Sequence, residues 1–154
     1  MKITLIFTGK TQSAEIRSIC EDYKARIKHY AKLEEVIVEP NIKSSATAQA
    51  KQKEGELILK KMAPGDFVIL LDEKGKEYSS LAFAGYLESL FNQSLKNICF
   101  VVGGAYGFSD ELYARANAKI SLSKMTFSHQ IVRALFLEQL YRAFTIINGE
   151  KYHH

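Results

Sequence analysis

Apolar and β-branched residues run from Ile3 to Thr8 and stop at Gly9, the pattern of a strand that ends in a turn. Beyond it Ile16, Ile19, Cys20, Tyr23, Ile27 and Tyr30 recur at helical spacing, so a helix follows. Val36, Ile37 and Val38 form a second strand that closes at Pro40. Thr47 to Met62 is then a charged, helix-favouring stretch carrying Leu57, Ile58 and Met62. Phe67 to Leu71 is apolar without interruption, as a strand covered on both faces should be, and Asp72 to Lys76 reads as a polar turn containing Gly75. Ser79 or Ser80 caps a helix to about Phe91. A fourth strand, Ile98 to Val102, enters Gly103-Gly104-Ala105-Tyr106-Gly107, and a short helix over Asp110 to Arg115 leads to a last strand near Ile120. Strand and helix alternating in this way predict an α/β fold with a mostly parallel sheet and helices on both faces. No linker, repeat or low-complexity segment divides the chain, so one domain over residues 1–154 is expected.

The final helix, about Ser128 to Asn148, is of another kind. Twelve of the seventeen positions from Ile131 to Ile147 are Ile, Val, Ala, Leu, Phe or Tyr, which leaves almost no solvent face. A helix apolar nearly all round must be covered on both sides. In so small a chain the second cover is expected to be another subunit, and a homodimer is favoured over a monomer.

Composition narrows the setting without naming a function. At 17.4 kDa and 47% hydrophobic residues the chain suits a single core. No stretch reaches the roughly 20 apolar residues of a membrane span, and Met1 to Leu5 reads as a strand rather than a signal peptide, so a cytoplasmic location is expected. Cys20 and Cys99 lie in apolar patterns without C-x-x-C spacing and read as buried thiols, and no metal site is expected. A net charge of +4 and a pI near 9.0 permit an anionic partner but do not identify one.

Several site types are absent by inspection. There is no G-x-x-x-x-G-K-[ST], no H-E-x-x-H and no G-x-S-x-G, and Gly103, Gly104 and Gly107 do not give the dinucleotide fingerprint. The glycine cluster is open to two readings, a tight turn or a loop whose backbone approaches a ligand. The segment Ser121 to Phe127 is equally open, since Ser123, Thr126 or Ser128 could simply cap the last helix. These two segments and Leu70-Leu71-Asp72 are three strand ends of one sheet, and such ends can converge on one pocket.

With Gly103-Gly104-Ala105-Tyr106-Gly107, Leu122 to Gln130, Leu137 to Phe144 and the tail Gly149 to His154, the chain resembles the RlmH family of SPOUT-class rRNA methyltransferases over its whole length. It departs at Ser128, where the family usually has proline, and at Phe7-Thr8, where it usually has smaller residues. The resemblance implies a SPOUT fold with a C-terminal trefoil knot, a homodimer, and S-adenosylmethionine (SAM) as methyl donor. It implies methylation of N3 of a pseudouridine in 23S rRNA of the assembled ribosome, with no DNA or membrane partner. Carried over residue by residue, the cofactor contacts are Leu71, Gly103, Leu122, Ser123, Lys124, Met125, Thr126 and Phe127.

Methyl transfer to a ring nitrogen that carries a proton needs alignment and either a base or cations that stabilise the ring anion. The candidates are His129, Arg133, Arg142, Tyr152 and His153. His129 and Arg133, four apart, share a helix face, whereas Arg142 is nine from Arg133 and projects nearly opposite. A site completed across a dimer interface reconciles them. Arg142 also stands at i+4 from Glu138 and has an ion pair as its plainer role. Two other classes remain open on the residues alone: an RNA-binding module without catalysis, which need not bind SAM, and a methyltransferase acting on protein or a small metabolite.

Overall fold

The computed structural model describes residues 1–41 and 47–154. In chain order the elements are β1 (Lys2–Thr8), α1 (Ala14–Ile27), β2 (Lys32–Val38), α2 (Thr47–Leu59), β3 (Phe67–Glu77), α3 (Ser80–Phe91), β4 (Asn97–Val102), α4 (Asp110–Arg115), β5 (Ala118–Ser121) and α5 (Ile131–Ile147). The strands form one sheet in the order β2-β1-β4-β3-β5, and every pairing is parallel.

The two-residue period of the strands divides the core. Ile3, Leu5 and Phe7 of β1 and Ile98, Phe100 and Val102 of β4 face α1, α3 and α5. Ile6, Val68, Leu70, Cys99 and Val101 face the opposite way, against Ile58 of α2 and Leu112 of α4. Helices therefore cover both faces, as the unbroken apolar runs require. Ser13, Ser79 and Ser109 each accept a hydrogen bond at the amino end of their helix, which sets where α1, α3 and α4 begin.

Two boundaries differ from the sequence reading in ways that matter for the site. The expected turn at Asp72 to Lys76 is an excursion within a longer strand. Leu71 and Lys76 both pair with Ile120, so β3 leaves the sheet at Asp72 and rejoins it to pair Glu77 with Ser121. Gly75 makes this possible, since a Cβ there would lie 2.6 Å from the backbone of Ile120. The last helix starts at Ile131 instead of Ser128, because the Ser128 hydroxyl accepts from the Ile131 amide at 3.2 Å and holds the chain in a turn.

More of α5 is covered by its own chain than the sequence suggested. It lies on the sheet between α1 and α3, with Phe136, Leu137 and Leu140 fully buried. Each such side chain contributes about 1.5–3 kcal/mol of burial. A strip remains on the outer side, where Ile131, Val132 and Ile146 are half-buried and Leu135 is 37% exposed.

Candidate cofactor cavity and active site

The carboxyl ends of β3, β4 and β5 lie side by side, and the loops leaving them line a half-open cavity of about 600 Å³. This falls within the roughly 300–1,000 Å³ of small-molecule sites. Leu71, Val102, Phe108, Ile120, Leu122 and Val132 provide apolar walls, while Asp72, Ser123, Thr126 and His129 provide polar groups. Of the residues expected to hold a cofactor, Leu71, Gly103, Leu122, Ser123, Met125, Thr126 and Phe127 line this cavity. Lys124 is exposed and is not among the lining residues.

The glycine loop has reasons of its own for its composition. A Cβ at Gly103 would come within 2.8 Å of the buried Phe108 ring, and one at Gly104 within 2.9 Å of the Glu54 carboxylate. Gly107 sits at φ +79, where an L side chain is strained. Glu54 is a residue that sequence reasoning missed. It is buried on α2, and its Oε1 accepts from the Gly104 amide at 2.9 Å and from the Thr8 hydroxyl at 3.0 Å, tying loop, helix and β1 together. Nothing in the local pattern of α2 marks it, because both partners lie far away in sequence.

A second tie closes the other side. The Tyr113 hydroxyl of α4 donates to Asp72 Oδ2, while Asp72 Oδ1 accepts from the Lys74 amide at 2.8 Å. Burial, and then the Asp72 carboxylate, push the Tyr113 hydroxyl up to about 12, so it remains a donor at neutral pH. At the end of β5 the Ser121 hydroxyl donates to the Ser123 carbonyl at 2.8 Å, and just beyond it Ser123 Oγ accepts from the Met125 amide at 3.0 Å. Ser123 thus shapes this turn and does not cap the helix.

The five candidate catalytic residues fall into three places. His129 lines the cavity. Arg133 has no exposed surface: its guanidinium donates to the carbonyls of His129, Gly9 and Thr8 and to the Thr11 hydroxyl, and it lies 4.9 Å over the Phe7 ring. Burial pushes its pKa down. It is not among the cavity's lining residues.

Arg142, Tyr152 and His153 form one cluster. Arg142 Nη2 meets Glu138 Oε1 at 2.5 Å, Arg142 Nη1 lies 3.3 Å from His153 Nδ1, and the guanidinium sits 4.6 Å over the Tyr152 ring. The Tyr152 hydroxyl donates to Glu138 at 3.2 Å and contacts the Tyr23 hydroxyl at 3.3 Å. The hydrogen bonds that Arg142 donates to Glu138 raise its pKa and favour the charged form. The ion pair expected at i, i+4 is present, and the tail residues Tyr152 and His153 are half-buried rather than loose. Arg142 lies eleven helical steps beyond Ile131, about 17 Å along the axis, so this cluster stands apart from the cavity of its own chain.

Comparison with known proteins agrees over the full length. The family described as "Predicted SPOUT methyltransferase" matches residues 1–153. The ribosomal RNA large subunit methyltransferase H of Parabacteroides distasonis is 54% identical over 156 residues, which cover 100% of this chain and 99% of that protein. The protein of the same name from Christiangramia forsetii is 52% identical with the same coverage. A solved structure described as "Probable Methyltransferase from Bordetella pertussis Tohama I" superposes with a TM-score of 0.58 at 15% identity, covering 92% of this chain and 95% of the other, a likeness of fold alone. By profile and by relatives of half-identical sequence across its length, the chain belongs to the SPOUT methyltransferase family, within the ribosomal RNA large subunit methyltransferase H group.

Proposed function

We propose that this protein transfers a methyl group from SAM to N3 of a pseudouridine in 23S rRNA of the assembled ribosome. The observation that carries the reading is the cavity at three adjacent strand ends in a chain about half identical to proteins named as large-subunit rRNA methyltransferases. Its residues fit SAM: apolar walls for an adenine, the Ser123 and Thr126 hydroxyls for ribose or backbone-like contacts, and the Asp72 carboxylate for a cation. When bound, SAM supplies an electrophilic methyl carbon on a sulfonium. The protein's own part is to hold that ligand against Leu71, Gly103, Leu122, Ser123 and Met125 to Phe127, with Lys124 outside the lining, and to present the target nitrogen in line with it.

Within this reading His129, Arg133, Arg142, Tyr152 and His153 have distinct tasks. His129 stands at the cavity and is placed to meet the target base. Arg133 is a positioning residue, holding the His129 carbonyl and the loop after β1. Arg142, whose charge is shared with Glu138, stands with Tyr152 and His153 as a set of donors that stabilises the ring anion formed as N3 loses its proton. The distance along α5 leaves that cluster to act on a partner's cavity, which supports a homodimer, as does the apolar outer strip at Ile131, Val132, Leu135 and Ile146. The trefoil knot belongs to the same reading and rests on membership of the SPOUT methyltransferase family. A cytoplasmic location, where ribosomes work, belongs to the same reading and rests on the likeness to large-subunit rRNA methyltransferases.

A net charge of +4 gives only a modest overall attraction to phosphates, so strong, selective binding to free RNA is not expected. An assembled ribosome supplies shape and partner surfaces together. The test is to supply the protein with labelled SAM and either ribosomes lacking the modification or protein-free 23S rRNA at equal salt. Strong RNA labelling on ribosomes and almost none on free rRNA is expected. Equal rates would reject ribosome recognition, and label in ribosomal protein would reject the RNA substrate.

A further inference from the structure

We propose that Asp72, held by Tyr113, makes the cavity prefer the cationic methyl donor over the neutral thioether left after transfer. The inference rests on the reading that this cavity holds SAM and names the residue that tells donor from spent product. In the transfer the methyl carbon–sulfur bond breaks and its electron pair stays on sulfur. A bond from the target nitrogen to that carbon forms, and the nitrogen's proton leaves to a base or solvent. The small molecule carries an ammonium and a carboxylate before and after. Its net charge therefore falls from one positive to zero on the loss of the sulfonium alone.

Asp72 is suited to sense that change. It stands where β3 leaves the sheet, half-buried on the cavity wall, with both oxygens engaged: Oδ2 by the Tyr113 hydroxyl and Oδ1 by the Lys74 amide. A carboxylate anchored at both oxygens cannot swing into solvent, so its field stays aimed at the ligand. Among the described residues the other charged side chains on the wall are Glu73 and Asp110, which are exposed, and Lys51 and Lys74. Glu73 already accepts from the Thr126 hydroxyl. Lys74 is exposed, and Lys51 enters from α2 on a flexible stem that can follow the ligand's own carboxylate, a group common to donor and product.

A cavity of about 600 Å³ is roughly 10 Å across, so a ligand sulfur anywhere inside lies within about that distance of the wall. At an effective dielectric of about 20, a fixed charge at that range alters affinity on the order of tenfold. The neutral product does not gain this attraction and dissociates faster, which frees the site for another donor.

The test is calorimetric binding of SAM and S-adenosylhomocysteine to the full-length protein, without RNA, for wild type, Asp72→Asn and Tyr113→Phe. Wild type should bind SAM about tenfold more tightly than the thioether. Asp72→Asn should bring the two constants to within about twofold by weakening SAM alone, and Tyr113→Phe should fall between. An unchanged ratio in Asp72→Asn, or equal affinities in wild type, overturns the proposal while leaving the cofactor site intact. Binding of neither compound overturns the cofactor reading itself. Should Asp72→Asn fail to fold, the wild-type ratio is measured from low to high salt: a ratio that shrinks supports the assignment, and a constant one contradicts it.

Discussion

The Arg133 guanidinium donates to the carbonyl oxygen of Thr8 at 2.6 Å, fastening the start of α5 to the carboxyl end of β1 through a side chain with no exposed surface. Gln130 reinforces the joint, since its Oε1 accepts from the Gln12 amide at 2.8 Å and its Nε2 donates to the Lys10 carbonyl at 3.3 Å. The loop after β1 and the turn bearing His129 are therefore one unit. Arg133→Ala strips donors from four acceptors and should cost at least about 3 kcal/mol, a fall of roughly 6–12 °C in melting temperature. Arg133→Lys retains part of the donor set and should recover part of the loss. If Arg133 contacts the substrate directly, the alanine variant will instead melt normally and lose only turnover.

The glycine loop gives a sharper separation of binding from folding. Gly103→Val sets a branched side chain against Phe108, where even a Cβ has only 2.8 Å, and should abolish SAM binding in calorimetry while the far-ultraviolet spectrum stays native. Glu54→Ala removes the acceptor for Gly104 and Thr8 and should destabilise by about 1–3 kcal/mol and weaken SAM binding. Glu54→Gln keeps a carbonyl oxygen there and should do less of both. Full SAM affinity in Gly103→Val would remove the loop from the site.

How far the sequence could be read follows from the range of the interactions. The strand-helix alternation, the apolar strands at Ile3 to Thr8 and Phe67 to Leu71, and the cap at Ser79 are set by neighbours a few residues apart. They were legible as pattern. The convergence of Leu71, Gly103 and Leu122 also followed, because parallel strands place their carboxyl ends together. Glu54, the Tyr113–Asp72 bond and the burial of Arg133 depend on contacts 41 to 125 residues apart, with no periodic signal. The return of β3 to the sheet was hidden for the same reason: Gly75 looks like a turn glycine until Ile120 is beneath it. The cofactor and the methylated base came only from family resemblance.

Alkaline pH offers a check on the core. Burial raises the Cys99 thiol from 9.0 to about 12. The unfolded thiol ionises first, so the stability tied to the neutral native form is fully present below pH 9.0 and drains away as pH rises toward about 12. Urea midpoints should accordingly fall above pH 9.0, and Cys99→Ala should flatten that part of the curve while lowering stability at pH 7 through the lost packing. Rapid labelling of Cys99 by a thiol reagent in the native protein at pH 8 would show that the thiol is accessible and the burial argument wrong.

The most direct measurement is to incubate ribosomes from cells lacking this enzyme with the protein and isotopically labelled SAM, digest the large-subunit RNA, and locate the methyl group by mass spectrometry. The account predicts one labelled nucleotide, a pseudouridine bearing the methyl on N3, and no label when Gly103→Val replaces the wild type. Label confined to ribosomal protein, or to a different base or ring position, would contradict it.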